Sequence, residues 1–355
     1  FSLLKILVLI VQKLNKFVLL FLVFSLLTLA LPQPALTFAS DCGVTSVGFT
    51  PLNDLGTGSH LGYQGGLYPN GSNQMPAAHA QAGMEIAQTI QPLNAAGQGD
   101  GVNGRIVLLS LGMSNTSQEF TAFMSLAQSD ALLADDVTIV NGAQGGKSAE
   151  FASDPYDDFW TTLDQRLANE GVTPKQVQVV WLKQARSSVE PDELFPTDAE
   201  ILQDQLQAIV QIAKTRFPNL KIAYLSSRIY AGYADTNLSP EPEAYQGGFA
   251  VKWLIADQIN GSPDLNYDST NGPVLAPWLA WGPYLWADGE MERSDGLIWL
   301  CSDFVADGTH PSGDGALKVA GMLQDFFHSA ETAVPWYTDL TQLTNQLYLP
   351  LVLQP

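Results

Sequence analysis

Four short stretches of this sequence carry residues that could do chemistry together. In Gly112-Met113-Ser114-Asn115 a hydroxyl follows an apolar run and precedes a helical pattern. A small residue there lets the chain turn sharply, so that Ser114 projects from a strand end beside a helix N-terminus, where the dipole favours developing negative charge. The same serine and asparagine also suit an ordinary helix cap. In Asp307-Gly308-Thr309-His310 an acid stands three residues before a histidine. Folded back, Asp307 can accept the Nδ1–H of His310, fixing the tautomer and leaving Nε2 to take a proton from a serine. The alternative is an Asx turn with a surface histidine. Gly145-Gly146 follows a second apolar run and can turn backbone N–H groups toward an oxyanion. Gln184, after a third, can offer a side-chain amide to the same place or simply cap its loop. Gly146-Lys147-Ser148 resembles part of a phosphate loop, but Gly142 lies one place too late for the GxxxxGK[ST] spacing.

Taken together, the serine, the paired glycines and the glutamine follow three successive apolar segments, and the Asp-x-x-His block precedes the last helix. This arrangement resembles the SGNH hydrolase superfamily. The resemblance implies a flavodoxin-like three-layer α/β/α sandwich around a mostly parallel five-stranded sheet. It implies Ser114 as nucleophile, His310 as base and Asp307 as its orienting acid. The oxyanion hole would be the backbone of Ser114 and Gly146, with Gly145 the fallback, together with Gln184. No cofactor or metal is implied. Within the superfamily the chain looks most like carbohydrate O-acetylesterases of the sialate-esterase and acetyl-xylan-esterase type, which carry Gly-Gln-Ser-Asn where this chain has Met113 in second place. The third block reads Leu-Lys-Gln-Ala rather than Gly-x-Asn-Asp. Losing an oxyanion donor costs about 10² to 10³ in rate, so a weakened relative that binds glycans is one alternative. A lipid or thioester hydrolase of the same superfamily is another.

The pattern that must position these residues begins at Arg105. Apolar, β-branched runs at Arg105–Leu111, Val137–Val140, Gln176–Leu182 and Leu220–Leu225 alternate with helical patterns. The helices are expected from about 113 to 133, and over Tyr156–Glu170, Thr197–Arg216, Tyr245–Gln258 and Gly315–Ser329. Strands apolar throughout predict a parallel sheet covered on both faces, with ligands beyond the strands' carboxyl ends. Side chains near those ends are candidate substrate contacts: Asn115, Arg228 and Tyr230. So are Trp281 and Trp286, whose faces could stack on a sugar ring or simply fill the core.

Residues 1–39 read as a secretory signal: three lysines around apolar runs, Pro32 and Pro34, then Thr37-Phe38-Ala39 as a cleavage site. An uncleaved membrane anchor is the alternative. Residues 40–104, rich in Gly, Pro, Asn and Ser, are expected as an irregular lead-in with one helix near Ala77–Ile90. The hydrolase domain would span 105–330, and 331–355 would form a strap or tail. Export would permit Cys42 and Cys301, the only cysteines, to pair. A net charge of −20 argues against nucleic acid as a partner. The expected partner is a small-molecule or glycan ester, met at a secreted or cell-surface location.

Overall fold

A computed structural model describes residues 40–187 and 193–339; the expected signal segment and the tail beyond 339 lie outside the described residues. The strands are β1 (Ile106–Gly112), β2 (Val137–Asn141), β3 (Val177–Lys183), β4 (Ile222–Ser226) and β5 (Trp278–Trp281), and they form one sheet in the order β2-β1-β3-β4-β5. Every pairing within this five-stranded sheet is parallel. This is the flavodoxin-like strand order, in which the chain reverses direction across the sheet between β1 and β3.

Helices cover both faces. The first of the longer helices, α1 (Ala77–Ala87), belongs to the lead-in. Next come α2 (Ser114–Ala127), α3 (Asp158–Asn169), α4 (Thr197–Arg216), α5 (Glu243–Ile259) and α6 (Gly313–Ser329). α2 packs against α6, and α4 packs against α5. Burial on both faces explains the apolar strands: all residues of β1, β3, β4 and β5 are buried. Edge strand β2 is only partly covered.

The strand β5 was not foreseen. Its sequence, Trp-Leu-Ala-Trp, lies between Pro277 and Pro283, and its aromatics suited either sugar stacking or the core. The core reading holds: Trp278 sits buried under α1, its ring stacked on His79 at 4.9 Å between centroids. The indole N–H donates to the His79 carbonyl, and His79 Nε2–H donates to the Leu279 carbonyl. The lead-in therefore covers a sheet edge. Its start is tied to the far end of the chain by a Cys42–Cys301 disulfide. Ser40 N–H donates to the Ala306 carbonyl, next to Asp307. Past α6, Trp336 and Tyr337 are buried, with Tyr337 stacked on Phe327.

Candidate active site

Parallel register brings three strand exits level. Gly112 pairs with Lys183, and Lys183 with Ser226. Residues just past these positions, together with the loop after β2, face one another across the carboxyl edge of the sheet. At the exit of β1 the chain turns within one residue, Met113, and enters α2 at Ser114. Gly112 allows this turn: a Cβ there would lie 2.3 Å from the Lys183 carbonyl and 2.4 Å from Thr116 Oγ1. Thr116 Oγ1–H donates to that same carbonyl, pinning the first turn of α2 to β3. One turn further on, Glu119 forms an ion pair with Lys183, both side chains fully buried. Ser114 is therefore the first residue of a helix anchored at two points.

The group beside Ser114 Oγ comes from much further along the chain. His310 Nε2 lies 2.8 Å from Ser114 Oγ. His310 Nδ1 lies 2.7 Å from Asp307 Oδ2. The other carboxylate oxygen accepts the backbone N–H groups of Thr309 and His310, at 2.9 and 3.0 Å. Burial alone would raise the Asp307 carboxyl, but the backbone and ring donors of His310 and the N–H of Thr309 outweigh it. They hold the carboxyl below its ordinary value. The tight loop needs glycine at 308, where φ is +63° and a Cβ would lie 1.9 Å from the Tyr233 carbonyl. Asn115 completes the frame by donating from Nδ2 to the Thr309 carbonyl at 2.9 Å. It positions the histidine loop against α2.

Beside this hydroxyl–imidazole–carboxylate line lies a pocket of about 270 Å³. Met113, Ser114, Gly146, Arg228, Leu238 and His310 are among its lining residues, and Lys147, Ser148, Arg186 and Ser187 form part of its wall. Among the described residues, no backbone carbonyl accepts the N–H of Ser114, Gly145 or Gly146. Gly146 lines the pocket, while Gly145 is the nearer to Ser114: a Cβ built on it would come 3.9 Å from Ser114 Cβ. The Lys147 ammonium is held by Asp157 and Asp158, which leaves the phosphate-loop resemblance without its phosphate-binding lysine.

Several expected contacts lie elsewhere. Gln184 does not point its amide at an oxyanion: Nε2 donates to the Lys147 carbonyl at 3.0 Å, and the side chain is buried. It braces the loop that carries Gly145 and Gly146, because the strand exit turns its side chain sideways, toward β2's loop. Tyr230 is buried, with its hydroxyl on the Val44 carbonyl. Trp281 donates to the Leu67 carbonyl and Trp286 to Glu241, and both indoles belong to the core. Of the five expected substrate contacts, Asn115 and Arg228 line the pocket. Lys147 and Ser148 were not singled out as pocket residues, although they directly follow Gly146. Leu238 had no signal, since it reaches the site through an irregular loop.

No family model matches the sequence, and no curated protein matches it. Among solved structures, a "putative acylhydrolase" from Bacteroides fragilis is 13% identical, with a TM-score of 0.38 over 74% of this chain and all of its own. A protein from Arabidopsis thaliana is 16% identical, with a TM-score of 0.30 over 59% of this chain and 67% of its own. Likenesses this loose carry no argument, and the description of the fold rests on the sheet order and the helices themselves.

Proposed function

We propose that this chain is a serine esterase that cleaves short acyl esters through an acyl-enzyme. One observation carries the reading: the continuous hydrogen-bonded line from Ser114 Oγ through His310 to Asp307, at 2.8 and 2.7 Å, opening on a pocket. Such a line activates an otherwise weak nucleophile. Ser114 Oγ attacks the ester carbonyl carbon as its proton passes to His310 Nε2, and Asp307 steadies the imidazolium. The carbonyl oxygen, now negative, meets the N–H of Ser114 at the start of α2 and that of Gly146 or Gly145. Collapse of the tetrahedral adduct breaks the bond to the alcohol, which leaves with the proton from His310. Water then repeats the sequence and releases the acid.

A pocket of about 270 Å³ has room for a short acyl group. A carbohydrate as the alcohol rests on the Gly-x-Ser-Asn likeness to sugar O-acetylesterases, because the indoles that could have stacked on sugars are in the core. We place the protein outside the cytosol; the Cys42–Cys301 bond supports this, since disulfides persist in oxidising compartments. The test is labelling by a fluorophosphonate with the modified residue mapped by mass spectrometry, alongside hydrolysis of 4-nitrophenyl acetate. Label on Ser114, with both label and turnover lost in Ser114→Ala, is expected. Turnover that survives this substitution overturns the assignment.

A further inference from the structure

Three cationic side chains stand in the pocket wall, and two are already committed. Lys147 is held by Asp157 and Asp158, and Arg186 by Asp198 and Glu193. Arg228 is different. It follows β4, is only 3% exposed and lines the pocket. Its Nη1 donates to the Leu238 carbonyl. Its Nε and Nη2 have no hydrogen-bond partner among the described residues.

Those two N–H groups lie side by side on one edge of the planar guanidinium. That edge matches the two oxygens of a carboxylate and forms parallel, charge-assisted bonds with it. The carboxylates whose fields reach Arg228 are engaged elsewhere: Glu119 with Lys183, Asp307 with His310, and Glu241 with the N–H groups of Ala231, Tyr245 and Trp286. A buried cationic donor pair left unmet is costly, which is a reason to expect a ligand group that meets it.

We infer that Arg228 determines specificity, and that the ester taken by this site carries a carboxylate held by the Nε and Nη2 edge. This rests on the esterase reading above. β4 is separated from β1 by β3 alone, so the two strand exits stand about 10 Å apart at the usual strand spacing. The carboxylate therefore sits several bonds from the scissile carbonyl, on the acyl group or on the alcohol. Nε and Nη2 carry almost no exposed surface. A ligand can meet them only if the segment bearing Leu238, a residue 43% exposed, moves aside.

The experiment measures kcat/KM for two matched pairs of chromogenic esters. One pair is an aryl hydrogen glutarate and its ω-amide, with the charge on the acyl group. The other is 4-acetoxybenzoate and 4-acetoxybenzamide, with the charge on the alcohol. The wild-type protein should prefer the anionic member of one pair by about ten- to a hundredfold, the range of a charge-assisted bond. Whichever pair shows the preference identifies the side that bears the carboxylate. In Arg228→Gln the ratio should fall to near one, and Arg228→Lys, which lacks the planar fork, should lie between. Equal rates within both pairs, or a preference that persists in Arg228→Gln, overturns the inference. Equal wild-type rates overturn it even if Arg228→Gln does not fold, and Arg228→Lys then carries the assignment to Arg228. Equal rates with Ser114 still labelled by fluorophosphonate sink this inference alone. No turnover and no label sink the esterase reading and this inference with it.

Discussion

Asp307→Asn tests the site through the direction of a single proton. In the native loop, Oδ1 of Asp307 accepts the backbone N–H groups of Thr309 and His310, while Oδ2 accepts the ring N–H at Nδ1. Asparagine can keep the two backbone donors only by placing its carbonyl oxygen where Oδ1 now lies. Its NH₂ group is then left facing Nδ1. Two donors cannot share a bond, so the imidazole presents its lone pair at Nδ1 and carries its proton on Nε2, facing Ser114. The base is then in the wrong tautomer to accept the hydroxyl proton. A change of this kind lowers kcat by about 10⁴, roughly 5.5 kcal/mol in the barrier. KM should hardly move, because the pocket is untouched. The melting temperature should also hold, because the backbone donors stay satisfied. Asp307→Ala should differ: it strands two backbone N–H groups and should cost about 1 to 3 kcal/mol of stability in addition to activity. The assay is steady-state hydrolysis of a short-chain chromogenic ester, with thermal unfolding on the same preparations. An Asn variant that keeps more than a tenth of wild-type kcat would refute the reasoning, as would one whose loss lies wholly in KM.

Reducing Cys42–Cys301 opens a covalent link across 259 positions. The chain-entropy argument gives about 5 kcal/mol for a loop of that order, with measured values falling between about 0 and 5. At about 2.1 cal/mol/K per residue of unfolding entropy, a loss of 3 to 5 kcal/mol lowers the melting temperature by roughly 5 to 8 °C. Calorimetry with and without dithiothreitol checks this, and free thiols titrating in the unreduced native protein would contradict it. Glu241 is pushed up to about 7 by burial, despite the donors that Trp286, Ala231 and Tyr245 give its carboxylate. The folded state therefore holds a proton that the unfolded chain releases near its ordinary value of 4.5. Its contribution is full below that value and is lost as pH rises through about 7, by up to roughly 3 kcal/mol. Denaturant titrations from pH 4 to 8 should show this decline, and Glu241→Gln should flatten it. A wild-type profile that rises over the same interval would mean Glu241 enters the fold already charged.

Much of the architecture was legible because a parallel sheet buried on both faces leaves uninterrupted apolar strands, and β1, β3 and β4 read that way. The boundaries of α4 were given by its own pattern, Thr197 to Arg216. β5 escaped notice because it is four residues long and flanked by prolines, and its bulky aromatics suited a core loop or a sugar platform as well as a sheet edge beneath α1. The Asp-x-x-His block could be read because both partners lie within one loop and their geometry is local. Gln184 could not be read in the same way. Sequence gives its place after a strand but not the direction of its side chain, which depends on where the loop after β2 runs. The lone Leu238 carbonyl that holds Arg228 is likewise a product of tertiary structure.

Ser114 and His310 are 196 positions apart, and α6 must dock against α2 before they touch. On the proposed esterase reading, a growing chain carries the Ser114 hydroxyl through most of synthesis without the His310 imidazole, and should not acylate itself before α6 is in place. On that reading, turnover would report completed assembly. Two separately produced fragments divided between α5 and β5 should each be silent, and activity should return only when they associate.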